Sequence, residues 1–187
     1  MLQSIIFLSV AALLPVIALI LFFLLNKYTG FKNLNFWVKQ VIYGVVFGGL
    51  AVVGTHWSIP FDGAAANARD ASVLISGLVF GGPAGLIAGA IGGLERMIVG
   101  IVNPTKFGFT VIACSVSTFL AGVVSLIIRY FVFNKKRPGI ISGFFIGLVV
   151  EVFHLLMVFV TNASEYEKAF RVVQSCTPPM LIANSIS

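Results

Sequence analysis

Five apolar stretches restrict the fold of this chain more than any other feature. They cover residues 5–25, 36–57, 71–102, 107–133 and 140–160. About 20 consecutive apolar residues are enough for an α-helix to cross the hydrocarbon core of a bilayer. Only 10% of the residues are charged, whereas soluble domains carry about 25%. The sequence therefore predicts an all-α integral membrane protein, folded as a polytopic helical bundle.

Basic residues are concentrated in the segments between these stretches. Lys27, Lys32 and Lys39 follow the first stretch, and a second cluster at 129–137 follows the fourth. Because cytoplasmic loops carry an excess of Lys and Arg, we expect the N-terminus outside and residues 27–39 in the cytoplasm. These topology signals account for the net charge of +6, and we expect no nucleic-acid partner.

The third stretch, 71–102, is interrupted in its middle by Gly81, Gly82 and Pro83. As one helix it would be about 48 Å long, more than a core of about 30 Å requires. Because proline clashes with the preceding helical turn, we predict a broken pair of half-helices at this motif. A re-entrant pair places both basic loops in the cytoplasm, as the positive-inside rule favours. Six ordinary crossings are the alternative, with residues 129–137 outside.

The C-terminal part is predicted to be a polar loop followed by an incomplete helix. The charges that interrupt the apolar pattern are Glu165, Glu167, Lys168 and Arg171. After Pro178 and Pro179 too few residues remain for a sixth crossing. We therefore expect a single transmembrane domain, 1–187, which is a fragment or a truncated product.

A glycine stripe marks the second half-helix, at Gly81, Gly85, Gly89 and Gly93. Small residues at this spacing allow helices to pack closely. Arg96 stands eleven residues after Gly85, so it lies within about 20° of the same face and points toward another helix. Two interpretations fit Arg96: it binds a ligand, or it snorkels to the interface or pairs with Glu95.

Further polar residues open the first half-helix and line the fourth stretch. Asn67 and Asp70 are suitable helix caps, whereas Arg69 at a helix start opposes the dipole and needs another partner. The polar stripe of the fourth stretch consists of Thr110, Cys114, Ser117 and Thr118. Such a stripe usually serves helix packing, but with two arginines it can also form a pocket for a small carboxylate. The candidate ligand-binding residues are Asn67, Arg69, Arg96, Cys114 and Ser117.

Glu151 and His154 are ionisable residues in the middle of the fifth stretch and share one helix face. An ionisable group at the bilayer centre costs roughly 2.5–3.5 kcal/mol, so we expect both to face the bundle interior. The Glu-x-x-His spacing occurs in di-iron bundles, which need two such motifs and further glutamates, and we predict no metal site. The sequence contains no nucleophile elbow, phosphate loop or kinase signature, so we predict no catalytic residue and no cofactor.

In their order and spacing these motifs resemble the LytS–YhcK type five-transmembrane receptors, the sensor region of bacterial histidine kinases and diguanylate cyclases. The matching segments are NARD (67–70), GLVFGGPAGLIAGAIGGLER (77–96), FGFTVIACSVSTFLAG (107–122), Glu151 and PPMLIANSI (178–186). The core of the match is 67–187. The family's N-x-R motif falls on Asn67 and Arg69, its basic residue on Arg96, and its Cys/Ser stripe on Cys114 and Ser117.

The resemblance implies a multi-pass receptor of the bacterial plasma membrane that acts in two-component signalling. It further implies a small carboxylate ligand such as pyruvate, a link to cell-wall regulation, a homodimer, and a response regulator reached through an effector domain that this chain lacks. Any kinase or cyclase activity would belong to that domain. The GGPAGLIAG pattern also resembles the substrate-binding components of energy-coupling-factor vitamin transporters, which is the rival interpretation. A structural membrane protein without a ligand is a third.

Overall fold

A computed structural model of the chain describes residues 2–186. Its elements are α1 (Leu2–Tyr28), α2 (Phe36–His56), β1 (Ile59–Phe61), β2 (Ala64–Ala66), α3 (Arg69–Ile75), α4 (Gly82–Val102), α5 (Pro104–Phe107), α6 (Val111–Ile127), α7 (Ile140–Thr161) and α8 (Tyr166–Ile186). A π-helical turn extends α3 over Ser76–Phe80, and another extends α6 over Ile128–Val132. In the part described, five helices are long and apolar enough to cross a membrane, namely α1, α2, α4, α6 with its flanking turns, and α7. The predicted all-α polytopic bundle is confirmed.

The broken helix pair is also confirmed, and its turn lies at Gly81. The φ of Gly81 is +147°, a conformation that residues with a side chain rarely adopt. Gln40 of α2 closes the turn on both sides. Its Nε2 donates to the Phe80 carbonyl at 3.1 Å, and its Oε1 accepts from the Ala84 N–H at 3.1 Å. The backbone groups that the break leaves free are therefore satisfied by a neighbouring helix.

The two half-helices fold back on each other, and their turn lies at the same end of the bundle as both basic loops. A Cβ added to Gly77 would lie only 3.2 Å from the Gly85 Cα. Arg129 donates to the Leu78 carbonyl just before the turn. The Arg137 guanidinium lies 4.6 Å from the ring centre of Phe23, near the end of α1. The re-entrant interpretation predicts this arrangement, whereas an ordinary crossing would place residues 129–137 at the opposite end.

The glycine stripe of α4 packs directly against the backbone of α6. A Cβ on Gly89 would lie 3.0 Å from the Thr118 carbonyl oxygen, and one on Gly93 would lie 2.8 Å from that of Ser115. Only glycine permits so close an approach. The stripe therefore fixes the position of α4 against the helix that carries the predicted Cys/Ser residues.

The C-terminal part differs from the prediction. Residues 165–171 do not form a polar loop, because α8 begins at Tyr166 and continues through Pro178 and Pro179 to Ile186. The Thr177 hydroxyl donates to the Val173 carbonyl at 2.6 Å inside this helix. Prolines are tolerated in membrane helices where neighbouring helices and hydroxyl side chains satisfy the backbone. The last helix is thus longer than predicted, and it packs against α7 and α1.

A short hairpin covers the end of the bundle where α3 begins. β1 and β2 pair antiparallel around Asp62 and Gly63, whose φ values are +43° and +80°. Asp-Gly favours tight turns of this kind. The three alanines of β2 are buried, and the Phe109 N–H donates to the Gly63 carbonyl at 3.2 Å. The hairpin therefore forms part of the wall around the residues described next.

Candidate functional site

A layer of polar side chains lies inside the bundle beneath the hairpin. It contains all seven residues singled out from the sequence, Asn67, Arg69, Arg96, Cys114, Ser117, Glu151 and His154, and none is more than 4% exposed. They come from the start of α3 and from α4, α6 and α7. Polar groups buried at this depth need partners within the protein. The partners found here differ for each residue.

Asn67 lies just before Ala68, which is the N-cap residue of α3. Its Oδ1 accepts from the Arg69 N–H at 3.1 Å, and its Nδ2 donates to the Ala65 carbonyl at 3.1 Å. These bonds tie the start of α3 to the hairpin, although Asn67 is not itself the cap residue that one sequence interpretation expected.

The Arg69 guanidinium bridges two helices through neutral oxygens. Its Nε donates to the Thr118 hydroxyl at 2.7 Å, its Nη1 to the Thr55 hydroxyl at 3.3 Å, and its Nη2 to the Cys114 carbonyl at 3.3 Å. The nearest Asp70 carboxylate oxygen is 3.7 Å from Nε. Arg69 therefore has one anionic partner and three neutral ones, and two of its five N–H donors remain for another group.

Arg96 is fully buried and has no carboxylate partner among the residues described. Its Nη2 donates to the Phe107 carbonyl at 3.2 Å and to the Thr110 hydroxyl at 3.1 Å. The guanidinium lies 4.6 Å from the ring centre of Phe107. The alternative pairing with Glu95 does not form, because that carboxylate lies 3.1 Å from His56 Nε2 instead. Within residues 2–186, Nε and Nη1 of Arg96 have no acceptor in hydrogen-bonding geometry.

The two arginines and Cys114 occupy one region of the layer. The Arg96 guanidinium is close enough to Arg69 and to the Cys114 thiol for electrostatic interaction. A Cβ on Gly92, one turn before Arg96, would lie 3.7 Å from the Arg69 Cδ. Ser117 is one turn beyond Cys114, and its hydroxyl has no hydrogen-bond partner in the described part of the chain. The geometry therefore gathers two guanidinium groups and a thiol, with the Ser117 hydroxyl one helical turn from the thiol.

His154 links the thiol to a carboxylate that sequence reasoning had assigned only to helix capping. His154 Nε2 lies 3.3 Å from Cys114 Sγ, and its Nδ1 lies 2.6 Å from Asp70 Oδ2. The other Asp70 oxygen accepts from the Thr118 hydroxyl at 2.7 Å. Three helices are thereby connected through one chain of hydrogen bonds.

Glu151 faces the interior as expected, and its partner is on α8. Asn184 Nδ2 donates to Glu151 Oε2 at 2.7 Å and to the Asn67 carbonyl at 3.2 Å, while its Oδ1 accepts from the Ala71 N–H at 3.1 Å. One amide side chain therefore ties α8 to α7 and to the start of α3. The polar layer and the last helix form one hydrogen-bonded unit.

One ligand atom from each of Asp70, Glu151 and His154 lies within 4.8 Å of the others. Such a spacing can accommodate a metal ion. Both Asp70 oxygens and both His154 nitrogens already have protein partners, however. Glu151 Oε1 is the one carboxylate oxygen of the three residues without a partner in the described chain, so the donor set fits a hydrogen-bond network better than a metal centre.

Sequence reasoning did not assign four members of this layer to the site: Thr55, Asp70, Thr118 and Asn184. Thr118 was visible as part of the polar stripe, and Asp70 as the neighbour of Arg69. Thr55 is next to His56, and Asn184 is next to Ser185 within the PPMLIANSI segment, but no spacing in the sequence assigns either residue to the site. Their partners are far away in the chain and follow only from the fold.

The fold and this layer define a polytopic membrane protein with ionisable residues gathered inside the bundle, which is typical of receptors and transporters. Comparison with known proteins separates these two classes. A family model described as the 5TMR of 5TMR-LYT matches residues 22–187. The chain belongs to this family of five-transmembrane receptors.

Its relatives are sensor proteins. The chain is 26% identical over 146 residues to the sensor histidine kinase BtsS of Escherichia coli (strain K12), covering 76% of this chain and 25% of the relative. It is 29% identical over 144 residues to the sensor protein LytS of Bacillus anthracis, and the match covers 76% of this chain and 23% of the relative. The sensor histidine kinase YpdA of Escherichia coli (strain K12) is 29% identical over 115 residues, which cover 62% of this chain and 19% of the relative.

The chain thus spans about a quarter of the length of the curated relatives it matches. No solved structure gives a significant match. Together with the five apolar helices, the family match identifies a multi-pass sensor module of the plasma membrane, of the type found in histidine kinases. The receptor interpretation is therefore favoured over the transporter.

Proposed function

We propose that this module binds a small carboxylate inside the bundle and transmits binding through α8 to a kinase domain of the complete receptor. One observation carries the proposal. Arg96 is a fully buried guanidinium that faces a carbonyl, a hydroxyl and an aromatic ring, with no carboxylate among the described residues within ion-pair distance.

The energetic argument starts from the cost of a buried charge. Removing a charged group from water costs several kcal/mol unless a counter-charge and hydrogen bonds compensate. Among the described residues, the one carboxylate within ion-pair distance of Arg69 is that of Asp70, which His154 already engages. A small anion between the two guanidinium groups supplies the missing charge. A carboxylate fits because its two oxygens match the planar donor fork of arginine.

The space beside Cys114 and His154 is small, and neither Arg69 nor Arg96 lines it. A cavity of about 20 Å³ is lined by Thr110, Cys114 and His154, by the hairpin, and by α8. A cavity of this size holds about one water molecule. A ligand of the size of pyruvate therefore fits only when the hairpin or α8 moves outward. Asn184 ties α8 to the polar layer. Ligand binding is therefore transmitted out of the site by a displacement of α8.

The wider role follows from the relatives and the family resemblance. BtsS and YpdA are named sensor histidine kinases, so the complete receptor is proposed to act through a phosphorelay to a cytoplasmic response regulator. A homodimer and a link to cell-wall regulation complete the proposal.

The direct test is calorimetric titration of pyruvate and acetate into folded protein in lipid nanodiscs. Arg96→Ala and Arg69→Lys should each weaken binding, Arg96→Ala by roughly 2–5 kcal/mol, the cost of breaking a desolvated charge pair. Arg69→Lys keeps the charge but loses the bidentate fork. Arg171→Ala, at an exposed arginine on the outer part of α8, is the matched control. If all three variants bind pyruvate and acetate with the affinity of the wild-type protein, the carboxylate site is refuted.

A further inference from the structure

Cys114 is the first of three buried side chains arranged in a line. Its Sγ lies 3.3 Å from His154 Nε2, and His154 Nδ1 lies 2.6 Å from Asp70 Oδ2. α6, α7 and α3 each provide one member. A thiol next to an imidazole that is oriented by a carboxylate is the arrangement that activates nucleophiles in proteins.

The carboxylate is held so that the imidazole can act on the thiol. Asp70 Oδ1 accepts from the Thr118 hydroxyl at 2.7 Å and lies 3.7 Å from Arg69 Nε. The second oxygen, Oδ2, is thereby directed at His154. With a proton on Nδ1 shared with Asp70, the lone pair of Nε2 faces Cys114, since the partner of one ring nitrogen sets the role of the other.

We propose that Cys114 captures the ligand covalently and reversibly, as an adduct with the keto carbonyl of a 2-oxo acid. This inference rests on the proposed function, because the same guanidinium groups hold the carboxylate. The Arg96 guanidinium donates to Thr110, one turn before Cys114 on the same segment, and has two nitrogens without an acceptor in the described structure. In a 2-oxo acid the electrophilic carbon is bonded directly to the carboxylate. An anion held by Arg96 therefore keeps that carbon close to the sulfur.

The step is an addition. The sulfur of Cys114 bonds to the carbonyl carbon, the π bond of the carbonyl opens, and the thiol proton passes through His154 Nε2 to the former carbonyl oxygen. The hemithioketal contains all atoms of the two reactants, so no oxidant, reductant or co-reactant is required. The Ser117 hydroxyl, which lacks a partner among residues 2–186, is a donor for the new oxygen. The reverse reaction releases the ligand.

Covalent capture gives the site a selectivity that charge alone does not provide. A 2-hydroxy acid such as lactate has the same carboxylate and nearly the same size as pyruvate, but it has no carbonyl carbon for the sulfur to attack. Acetate lacks that carbon altogether. Lactate therefore reports on the anion site alone, whereas pyruvate reports on the anion site and the thiol together.

The test uses pyruvate labelled with ¹³C at C2 and the 187-residue protein in nanodiscs. We expect a protein-bound resonance of a tetrahedral carbon that Cys114→Ala abolishes, which separates it from the hydrate of free pyruvate. His154→Gln should slow capture on the order of 10²-fold, the usual contribution of a general base, and should reduce pyruvate binding more than lactate binding. Cys176→Ala removes the other buried thiol and should retain the resonance.

The results distinguish this inference from the proposed function. Pyruvate that binds with a trigonal C2 overturns covalent capture and leaves the anion site intact. A loss of lactate affinity in His154→Gln equal to the loss for pyruvate also overturns it, because His154 would then act only on the structure. If neither pyruvate nor lactate binds the wild-type protein, the proposed carboxylate site fails.

Discussion

Replacing Asn184 by alanine tests whether α8 is held by the polar layer. The side chain makes three hydrogen bonds, to Glu151, to the Asn67 carbonyl and from the Ala71 N–H. Each contributes about 0.5–1.5 kcal/mol net, and a buried group left without a partner costs about 1–3 kcal/mol. Glu151 Oε1 has no partner in the described chain, so the variant leaves both carboxylate oxygens without one. We expect Asn184→Ala to lower the free energy of unfolding by about 3 kcal/mol.

The measurement is equilibrium unfolding in mixed micelles, with Asn162→Ala as the matched control. Asn162 also makes two side-chain hydrogen bonds, but both lie within the end of α7, to Val158 and Thr161, and we expect it to cost about 1 kcal/mol or less. Combining Asn184→Ala with Glu151→Leu should cost less than the sum of the single changes, with a coupling of about 0.5–3 kcal/mol. If Asn184→Ala costs no more than the control, and the double variant is additive, the attachment of α8 is refuted.

Three further predictions concern the fold. Gly85→Ala should destabilise the protein by about 1–3 kcal/mol or more in the same assay, because the new Cβ would lie 2.5 Å from the Gly77 Cα. The control Gly49→Ala should be tolerated, because its Cβ meets no atom within 4 Å. Gln40→Leu removes the side-chain donor to the Phe80 carbonyl, whereas the Ala84 N–H keeps the Gly81 carbonyl at 3.0 Å. We expect a cost of about 1–3 kcal/mol if the Phe80 carbonyl stays without a partner; a neutral result would show that water replaces the glutamine. In intact cells, a membrane-impermeant thiol reagent should label Glu165→Cys and leave Lys135→Cys unlabelled, and the reverse pattern would overturn the orientation.

Composition and periodicity predicted the membrane bundle because they act locally. Apolar runs of sufficient length must become helices in a bilayer, since every backbone group needs an internal partner. The same local argument predicted a break at the Gly-Gly-Pro motif and close packing of another helix on the glycine stripe; the structure places the turn at Gly81 and shows that the packed helix is α6. The spacing of eleven residues between Gly85 and Arg96 predicted that Arg96 faces another helix, and its side chain is buried.

The errors have equally local causes. The first turns of α8 carry Glu167, Lys168 and Arg171, so hydropathy gives no signal there, and the prolines at its centre are helix breakers by local rules. The helix persists because it packs against α7 and α1. The pairing of Asp70 with His154 spans 84 positions, and no pattern in a single sequence links two residues at that separation. Asp70 was interpreted as a possible helix cap, but it lies within the first turn of α3 and caps no backbone group, and its tertiary partners decide its role.

The contact of the second basic loop with the re-entrant turn also has a consequence for biosynthesis. The Leu78 and Val79 carbonyls accept from Arg129 and Arg137, which follow 51 and 58 positions later. In the predicted orientation, a nascent chain that has just inserted α4 therefore has these carbonyls at the cytoplasmic end without their final partners. Retention of the arginines in the cytoplasm, which sets the orientation of α6, also delivers the donors that finish the turn. The orientation of α6 and the closure of the re-entrant pair α3–α4 are thus coupled in time. A mutant whose α6 inserted in the opposite direction would also leave the turn of the re-entrant pair without these donors.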